Sequence, residues 1–97
     1  MKITLVKKVL ADGSLCKKCR DVQARLEEKG QLSRIGRTLI ADVRDPQSAG
    51  IKIARQYKVE RAPFFIVERE GREAEIYTIY AKFAKEVLQP AGQVESC

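Results

Sequence analysis

Two cysteines three positions apart, Cys16 and Cys19, are the residues of this sequence with the clearest chemical potential. They follow the turn signal Asp12-Gly13-Ser14 and stand at the start of a predicted helix. A cysteine at a helix N-terminus receives orphan backbone N–H groups and the positive end of the helix dipole, which stabilise its thiolate. The second cysteine lies one turn later on the same side, close enough to form a disulfide or attack a mixed disulfide. The spacing therefore predicts a redox-active pair.

Three other interpretations of the cysteine pair stay open from the residues alone. The pair could form a structural disulfide, supply half of a zinc site, or consist of two buried core thiols. Zinc takes about four Cys or His ligands, whereas the chain has three cysteines and no histidine, so a zinc site would need a second chain. We expect no metal, and no cofactor other than the redox-active disulfide. The absence of histidine also excludes Ser-His and Cys-His catalysis within the chain.

Two lysines, Lys17 and Lys18, separate the cysteines. Cations in the first turn of a helix oppose its dipole, at a cost of about 0.3–1 kcal/mol each when exposed. A sequence selected only for stability would place Asp or Glu there. We therefore expect the lysines to stabilise the Cys16 thiolate or to dock an acidic partner, with two solvated lysines of no special role as the alternative.

Charge is unevenly distributed along the 97 residues, which are enough for one small domain. Residues 1–61 hold 15 Lys and Arg against 7 Asp and Glu, whereas residues 62–97 hold 4 against 6. A basic region of this kind is either a plain solvated surface or a face that attracts an acidic protein partner, and both interpretations stay open. It lacks the aromatic residues interleaved with basic ones that a nucleic-acid surface carries, so we expect no nucleic acid.

The apolar runs of the chain are short. The first, at residues 3–6, ends at Lys7 and Lys8, and no run reaches the roughly 18 residues of a membrane helix. A secretory signal needs a longer apolar stretch and a small-residue cleavage site. We therefore expect a cytoplasmic protein without membrane contact, in a compartment where cysteine pairs are more often chemical than structural.

Hydrophobic patterning predicts seven elements in the order β-α-β-α-β-β-α, which implies a four-stranded mixed sheet with helices on both faces. The nearly continuous apolar run of the second strand is typical of a strand buried on both faces. Gly30 is suited to a left-handed end of the first helix, and Gly50 is expected to weaken the second. The predicted strands cover 3–10, 38–43, 64–67 and 74–79; the predicted helices cover 17–29, the segment from Asp45 as N-cap and Pro46 as first residue to Tyr57, and a segment from Phe83 to a stop at Pro90.

Three features together resemble the thioredoxin-like superfamily, in particular its small thioredoxins and glutaredoxins. They are the Cys-x-x-Cys at a strand-to-helix junction, the order of the elements, and the segment Val59-Glu60-Arg61-Ala62-Pro63-Phe64-Phe65-Ile66-Val67. The resemblance implies a thioredoxin-like α/β domain at residues 1–89, followed by a flexible C-terminal tail at 90–97. It also implies that Pro63 is a cis-proline packed against the disulfide and that Ala62 contacts substrate backbone.

The chain departs from the family pattern at several positions. Leu15 stands where thioredoxins usually carry Trp, and Lys17-Lys18 replaces the Gly-Pro or Pro-Tyr between the cysteines. Ile79-Tyr80-Ala81-Lys82 replaces the glycine-rich turn that helps glutaredoxins hold glutathione, and the segment from Ile3 to Leu10 lacks the acidic residue that thioredoxins bury. These differences favour a dedicated protein partner, while glutathione dependence and the direction of electron flow stay open.

The resemblance implies a thiol–disulfide oxidoreductase. Cys16 would attack a substrate disulfide and Cys19 would resolve the mixed disulfide. We expect Lys17, Lys18 and Arg61 to supply positive potential around the thiolate. A sulfur relay in which Cys16 carries a persulfide uses the same residues and stays open.

The alternative is a thioredoxin-fold adaptor whose basic face docks an acidic protein, with the cysteine pair binding metal or inactive. For the oxidoreductase, Arg61, Ala62 and Pro63 are the expected substrate-binding residues. We expect a monomer, with a dimer through Cys97 as the other option.

Overall fold

The structure, a computed structural model, describes residues 1–88. Its strands are β1 (Lys2–Val9), β2 (Arg37–Asp42), β3 (Phe64–Glu68) and β4 (Glu75–Tyr77), and its helices are α1 (Lys17–Glu28), α2 (Ala49–Tyr57) and α3 (Tyr80–Phe83). A 3-10 turn follows α1 at Leu32–Arg34, and a π-helical turn continues α3 at Ala84–Leu88. The predicted end of the domain at residue 89, the tail at 90–97, Pro90 and Cys97 lie outside the described residues. Within residues 1–88, no helix has the length and apolar character needed to cross a membrane.

The sheet is organised around β1, which pairs with a strand on each side. The strand order is β2-β1-β3-β4, with β1 parallel to β2 and antiparallel to β3, and with β4 antiparallel to β3. A parallel neighbour requires a crossover connection, which α1 provides between β1 and β2. The predicted order of elements and the four-stranded mixed sheet are confirmed.

Alternation along β1 creates two hydrophobic cores, one on each face of the sheet. Ile3 and Leu5 belong to the larger core, which α1 closes with Leu26 and α3 closes with Phe83. Phe83 also stacks on Phe65 of β3, with ring centroids 3.8 Å apart. The smaller core lies on the opposite face, where α2 covers the side chains Val6, Phe64 and Ile66. The prediction of helices on both faces is therefore confirmed.

The second strand is not buried on both faces as its composition predicts. β2 is an edge strand with β1 as its neighbour, and α2 packs on one of its faces. Ile40 consequently remains 37% exposed and Val43, just beyond the strand, 42% exposed. The continuous apolar run of β2 indicates parallel pairing, but it does not indicate whether the strand lies in the centre or at the edge of the sheet.

The second helix begins three residues later than predicted. Asp45 is not its N-cap, because its carboxylate oxygen Oδ1 accepts the N–H of Gln47 and forms a turn with Pro46 instead. The N-cap is Ser48, whose side-chain Oγ accepts the N–H of Asp42 at 3.0 Å and so ties the start of α2 to the end of β2.

The end of the chain also differs in detail from the prediction. β4 has three residues, and Ile79 is the N-cap of α3 instead of the last residue of the strand. The expected α-helix at the end is a four-residue α3 followed by the π-helical turn, although the predicted apolar residues Phe83, Val87 and Leu88 are all buried. At the end of α1, Gly30 has the expected positive φ of 65°.

Gly50 weakens α2 by helix propensity, but it is required by packing. A Cβ atom built at Gly50 would overlap the backbone of Ile40 and Ala41, coming within 2.6 Å of the Ile40 carbonyl oxygen. Backbone atoms in a paired strand cannot move aside as a flexible side chain can. The glycine therefore allows α2 to pack directly against β2.

We expect Gly50→Ala to lower the free energy of unfolding by about 1–3 kcal/mol, because overpacking outweighs the gain of about 1 kcal/mol in helix propensity. Urea denaturation measures the change, and Gln56→Ala, at an exposed position of the same helix, serves as the matched control. A Gly50→Ala protein as stable as the parent would contradict the close packing of α2 on β2.

Candidate functional site

Cys16 is the N-cap of α1 and is fixed there by backbone hydrogen bonds on both sides. Its N–H donates to the carbonyl oxygen of Lys8 at 2.9 Å, and its own carbonyl accepts the N–H of Arg20 at 3.0 Å. Its Sγ accepts the N–H of Cys19 at 3.3 Å, so the sulfur itself caps the helix. The preceding loop is bridged to β1 through Leu15 and Val9. The end of the central strand therefore determines where the first sulfur lies.

The two sulfurs face each other, with the Sγ atoms of Cys16 and Cys19 2.7 Å apart and both thiols free. Cys16 is half-buried, whereas Cys19 is 1% exposed. Disulfide formation needs a sulfur–sulfur distance of about 2.05 Å, so a small side-chain movement would join them. One accessible sulfur beside one enclosed sulfur is an arrangement in which an external disulfide meets Cys16 first.

The pKa of the Cys19 thiol is raised to about 12, mainly by burial and in smaller part by the neighbouring Cys16 sulfur. Two groups act in the opposite direction: the N–H of Lys8, which donates to Cys19 Sγ at 3.3 Å, and the positive charge of Lys7. Lys7 lies on the same face of β1 as Leu5, and its Nζ donates to Oε1 of Gln23 on α1 at 2.8 Å. Cys19 therefore holds its proton near neutral pH.

A groove of about 480 Å³ opens beside Cys16. It brings together most of the residues that the sequence singles out: Cys16, Lys17, Lys18, Arg61 and Ala62. Cys19 and Pro63 are buried outside its lining. Three further residues line the groove that the sequence analysis did not single out, namely Lys8, Leu10 and Glu60.

Lys7 and Lys8 are the site residues that sequence reasoning missed, although a signal for them was present. In the predicted strand, period-two alternation places Lys7 with Ile3 and Leu5 on the helix α1 side and Lys8 on the opposite side. The sequence predicts a strand through both lysines to Leu10 but assigns neither of them to the site. The structure shows that β1 ends at Val9, beside the cysteines.

The Ala62–Pro63 peptide bond is cis, as the resemblance implies. Pro63 is buried directly before β3, while Ala62 lines the groove next to Cys16. Within residues 1–88, neither the backbone N–H nor the carbonyl of Ala62 takes part in a hydrogen bond. An extended segment of another chain could use these two groups as an added strand does.

Comparison with known proteins identifies the fold. No family model matches the chain, and no curated protein matches it in sequence. The germline-specific thioredoxin Deadhead from Drosophila melanogaster has a similar structure, with a TM-score of 0.50, 13% sequence identity, and coverage of 90% of this chain and 79% of that chain. A thioredoxin from Thermus thermophilus has a TM-score of 0.50 at 22% identity, with coverage of 91% of this chain and 72% of that chain.

Both structural neighbours are thioredoxins, and at these identities the likeness is one of fold. The protein therefore has the thioredoxin-like fold, and the resemblance to that superfamily is confirmed at the level of the fold.

The raised pKa of Cys19 makes the stability of the reduced protein depend on pH. An unfolded cysteine titrates near 9.0, whereas folded Cys19 titrates near 12. The folded state therefore binds the extra proton between these values, and we expect the free energy of unfolding to fall as pH rises from 9 towards 12, by at most about 1.4 kcal/mol per pH unit. Denaturant melts of the reduced protein measure this loss.

Cys19→Ala is the matched control, because it removes the Cys19 titration and keeps that of Cys16. Tyr77 and Tyr80, whose pKa values burial raises, titrate in both proteins and cancel in the comparison. Parallel pH profiles for the parent and the variant would show that burial does not hold the proton on Cys19.

Proposed function

We propose that this thioredoxin-fold protein is a thiol–disulfide oxidoreductase that acts through Cys16 and Cys19. The observation that carries the proposal is the asymmetry of the sulfur pair. Cys16 is partly accessible at a helix N-terminus and accepts a backbone N–H, while Cys19 is enclosed 2.7 Å behind it. Such asymmetry separates an attacking sulfur from a resolving sulfur.

In the first step the Cys16 thiolate attacks one sulfur of a substrate disulfide. A new sulfur–sulfur bond forms, the substrate bond breaks, and the departing sulfur leaves with the electron pair as a thiolate. In the second step Cys19 gives up its proton to the solvent or the departing thiolate and attacks Cys16 Sγ. The second substrate sulfur then leaves as a thiolate, so the protein dithiol has delivered two electrons to the substrate and has become the Cys16–Cys19 disulfide. The reverse sequence oxidises a substrate dithiol.

The groove supplies the surroundings that this exchange requires. Lys17 and Lys18 are exposed in the first turn of α1, and Arg61 lines the same groove, so these three cations share the groove with the reacting sulfur. The unpaired backbone groups of Ala62 provide a place for the substrate main chain beside Pro63. The partner is a protein that is acidic at the contact, and a reducing cytoplasm is the setting in which free thiols of this kind persist.

A second candidate function is an adaptor that docks an acidic protein without redox exchange. The observation that favours it is the basic lining of the groove, to which Lys8, Lys17, Lys18 and Arg61 contribute against the single acid Glu60. A persulfide carried on Cys16 is a variation of the first proposal and uses the same sulfur. Reaction with a small disulfide separates the adaptor from both redox functions.

Dithiodipyridine, a small neutral disulfide whose released thiopyridone is measured by absorbance, tests the roles of the two cysteines in a Cys97→Ser background. We expect the reduced parent to release two equivalents of thiopyridone per protein and to end as the Cys16–Cys19 disulfide. Cys19→Ser should release one equivalent and retain a mixed disulfide on Cys16, because the resolving sulfur is missing. Cys16→Ser should react at least about tenfold more slowly, because Cys19 is buried.

Mass mapping of the trapped adduct locates the attacking sulfur. An adduct found on Cys19, or equal reactivity of the two single variants, would overturn the assigned roles. A parent protein whose cysteines never form a disulfide with each other would favour the adaptor.

We expect replacement of both Lys17 and Lys18 by Gln to slow alkylation of Cys16 by iodoacetamide at near-neutral pH about two- to threefold. Removing exposed cations weakens the potential that favours the thiolate, and screening keeps the effect modest. The same change should raise the free energy of unfolding slightly, because two unfavourable contacts with the helix dipole disappear. Alkylation kinetics and a denaturant melt of the reduced protein measure both effects.

The matched control replaces Lys52 and Lys85, which are exposed and lie outside the cysteine groove. It removes the same net charge, so a general electrostatic effect would slow both proteins equally. Equal alkylation rates for the Lys17 and Lys18 variant and the parent would assign these lysines to docking or to plain surface.

A further inference from the structure

A second concavity lies on the other side of the segment that borders the cysteine groove. It has a volume of about 550 Å³ and is enclosed by α2, the C-terminal end of β2 and residues 58–62. This volume is within the range of about 300–1,000 Å³ that is usual for ligand pockets. We call it the α2 pocket. Its floor is apolar and is formed mainly by Val43, Ile51, Ala54, Val59 and Phe64.

The rim of the α2 pocket is strongly basic. Four cations line it, Lys8, Arg55, Lys58 and Arg61, against the single acid Glu60. None of the four takes part in an ion pair within residues 1–88, where the ion pairs are Arg44–Asp42 and Arg69–Glu75. An apolar floor below unpaired cations is complementary to an apolar group that carries carboxylates next to it.

The α2 pocket adjoins the cysteine groove. Lys8, Glu60, Arg61 and Ala62 line both concavities, so the segment 60–62 is their common wall. The unpaired backbone groups of Ala62 lie on this wall. A chain held beside Ala62 can therefore place its own sulfur at Cys16 and a neighbouring side chain in the α2 pocket.

We propose that the α2 pocket is the specificity site for the protein substrate and binds an apolar side chain, flanked by Asp or Glu, close in sequence to the substrate's reactive cysteine. This inference rests on the oxidoreductase function proposed above. Because the α2 pocket shares a wall with the groove that contains Cys16, a substrate segment is favoured over a separate small molecule as its occupant. The pocket volume accommodates a large aliphatic or aromatic side chain together with part of its neighbours.

The two parts of the recognition have different physical signatures. Loss of the apolar side chain removes desolvated contact area, and a difference of a few methylene groups in such a pocket typically changes selectivity about tenfold or more. Loss of the substrate carboxylates removes their attraction to the cations of the pocket rim. This attraction acts mainly on the association rate and is screened by salt. The acidic preference should therefore shrink as the salt concentration increases, whereas the apolar preference should persist.

Short synthetic peptides with one cysteine activated as a thiopyridyl disulfide provide the test. The reference peptide carries Phe and two Glu near the cysteine, one matched peptide has Gln in place of both Glu, and another has Ser in place of Phe. The second-order rate constant with the reduced protein is measured from thiopyridone release at low and high salt. We expect the Gln peptide to react about fivefold more slowly at low salt and the Ser peptide about tenfold more slowly at both.

Variants of Arg55 and Lys58 test whether the preference for acidic peptides arises in the α2 pocket, because these two residues line that pocket and do not line the cysteine groove. Replacing both by Gln should slow the Glu peptide to the rate of the Gln peptide and leave the Gln peptide unchanged. Replacing both by Glu should reverse the preference, so that a peptide with Lys in place of Glu reacts faster than the reference. Because each result is a ratio within one protein, a change in the folded fraction cancels. Replacement of Lys52 and Lys85 by Gln, at exposed positions outside the pocket, removes the same net charge and is the control.

Dithiodipyridine distinguishes failure of this inference from failure of the proposed function. If it does not oxidise the Cys16–Cys19 pair, the oxidoreductase function is wrong and the inference falls with it. If it does, but the peptides react at equal rates or the Arg55 and Lys58 variants keep the parent's preference, the α2 pocket is not the specificity site. Inhibition of the Phe peptides by free phenylacetate, without any preference among the peptides, would assign the pocket to a small anion and also overturn the proposal.

Discussion

The backbone of Lys8 is the point on which the arrangement of the site depends. Its carbonyl accepts the N–H of Cys16 and its N–H donates to the sulfur of Cys19, so one residue at the end of the central strand positions both cysteines. β1 is itself held by neighbours on both sides and by a core on each face. The sulfur pair at the start of α1 is therefore anchored to the most constrained strand of the sheet, while the groove beside Cys16 is lined largely by exposed side chains and by the segment 60–62. Rigid support with an adaptable rim is suited to exchange chemistry with a large partner.

Features determined by local chemistry could be predicted from the sequence. Cys16 was expected at the start of a helix because a turn precedes it and an apolar helical pattern follows, and it is the N-cap. Gly30 was expected to end that helix and has a positive φ. The resemblance, and not the residue pattern, supplied the cis bond before Pro63. In each case the decisive information lies within a few residues of the position concerned.

Features determined by distant partners could not be predicted in the same way. The position of β2 at the edge depends on where β3 inserts, and that is a property of residues more than twenty positions away. Asp45 and Pro46 carry the local pattern of a helix start, yet Ser48 is the N-cap because its side chain also bonds to the end of β2. No periodic pattern in the sequence predicts the α2 pocket, because its wall combines residues of a helix, a strand end and a loop. Apart from Arg61, its cations were visible in the sequence only as an excess of positive charge in residues 1–61.

The glycine at position 50 has a consequence for divergence among proteins of this architecture. It allows α2 to rest on the backbone of Ile40 and Ala41, and Ala41 and Ile51 are part of the adjoining pocket. A related chain with a larger residue there would hold the helix farther from the sheet and would present a pocket of different shape, although its cysteine motif was unchanged. Evolution could thus alter the choice of partner through a buried position that touches neither the partner nor the sulfur.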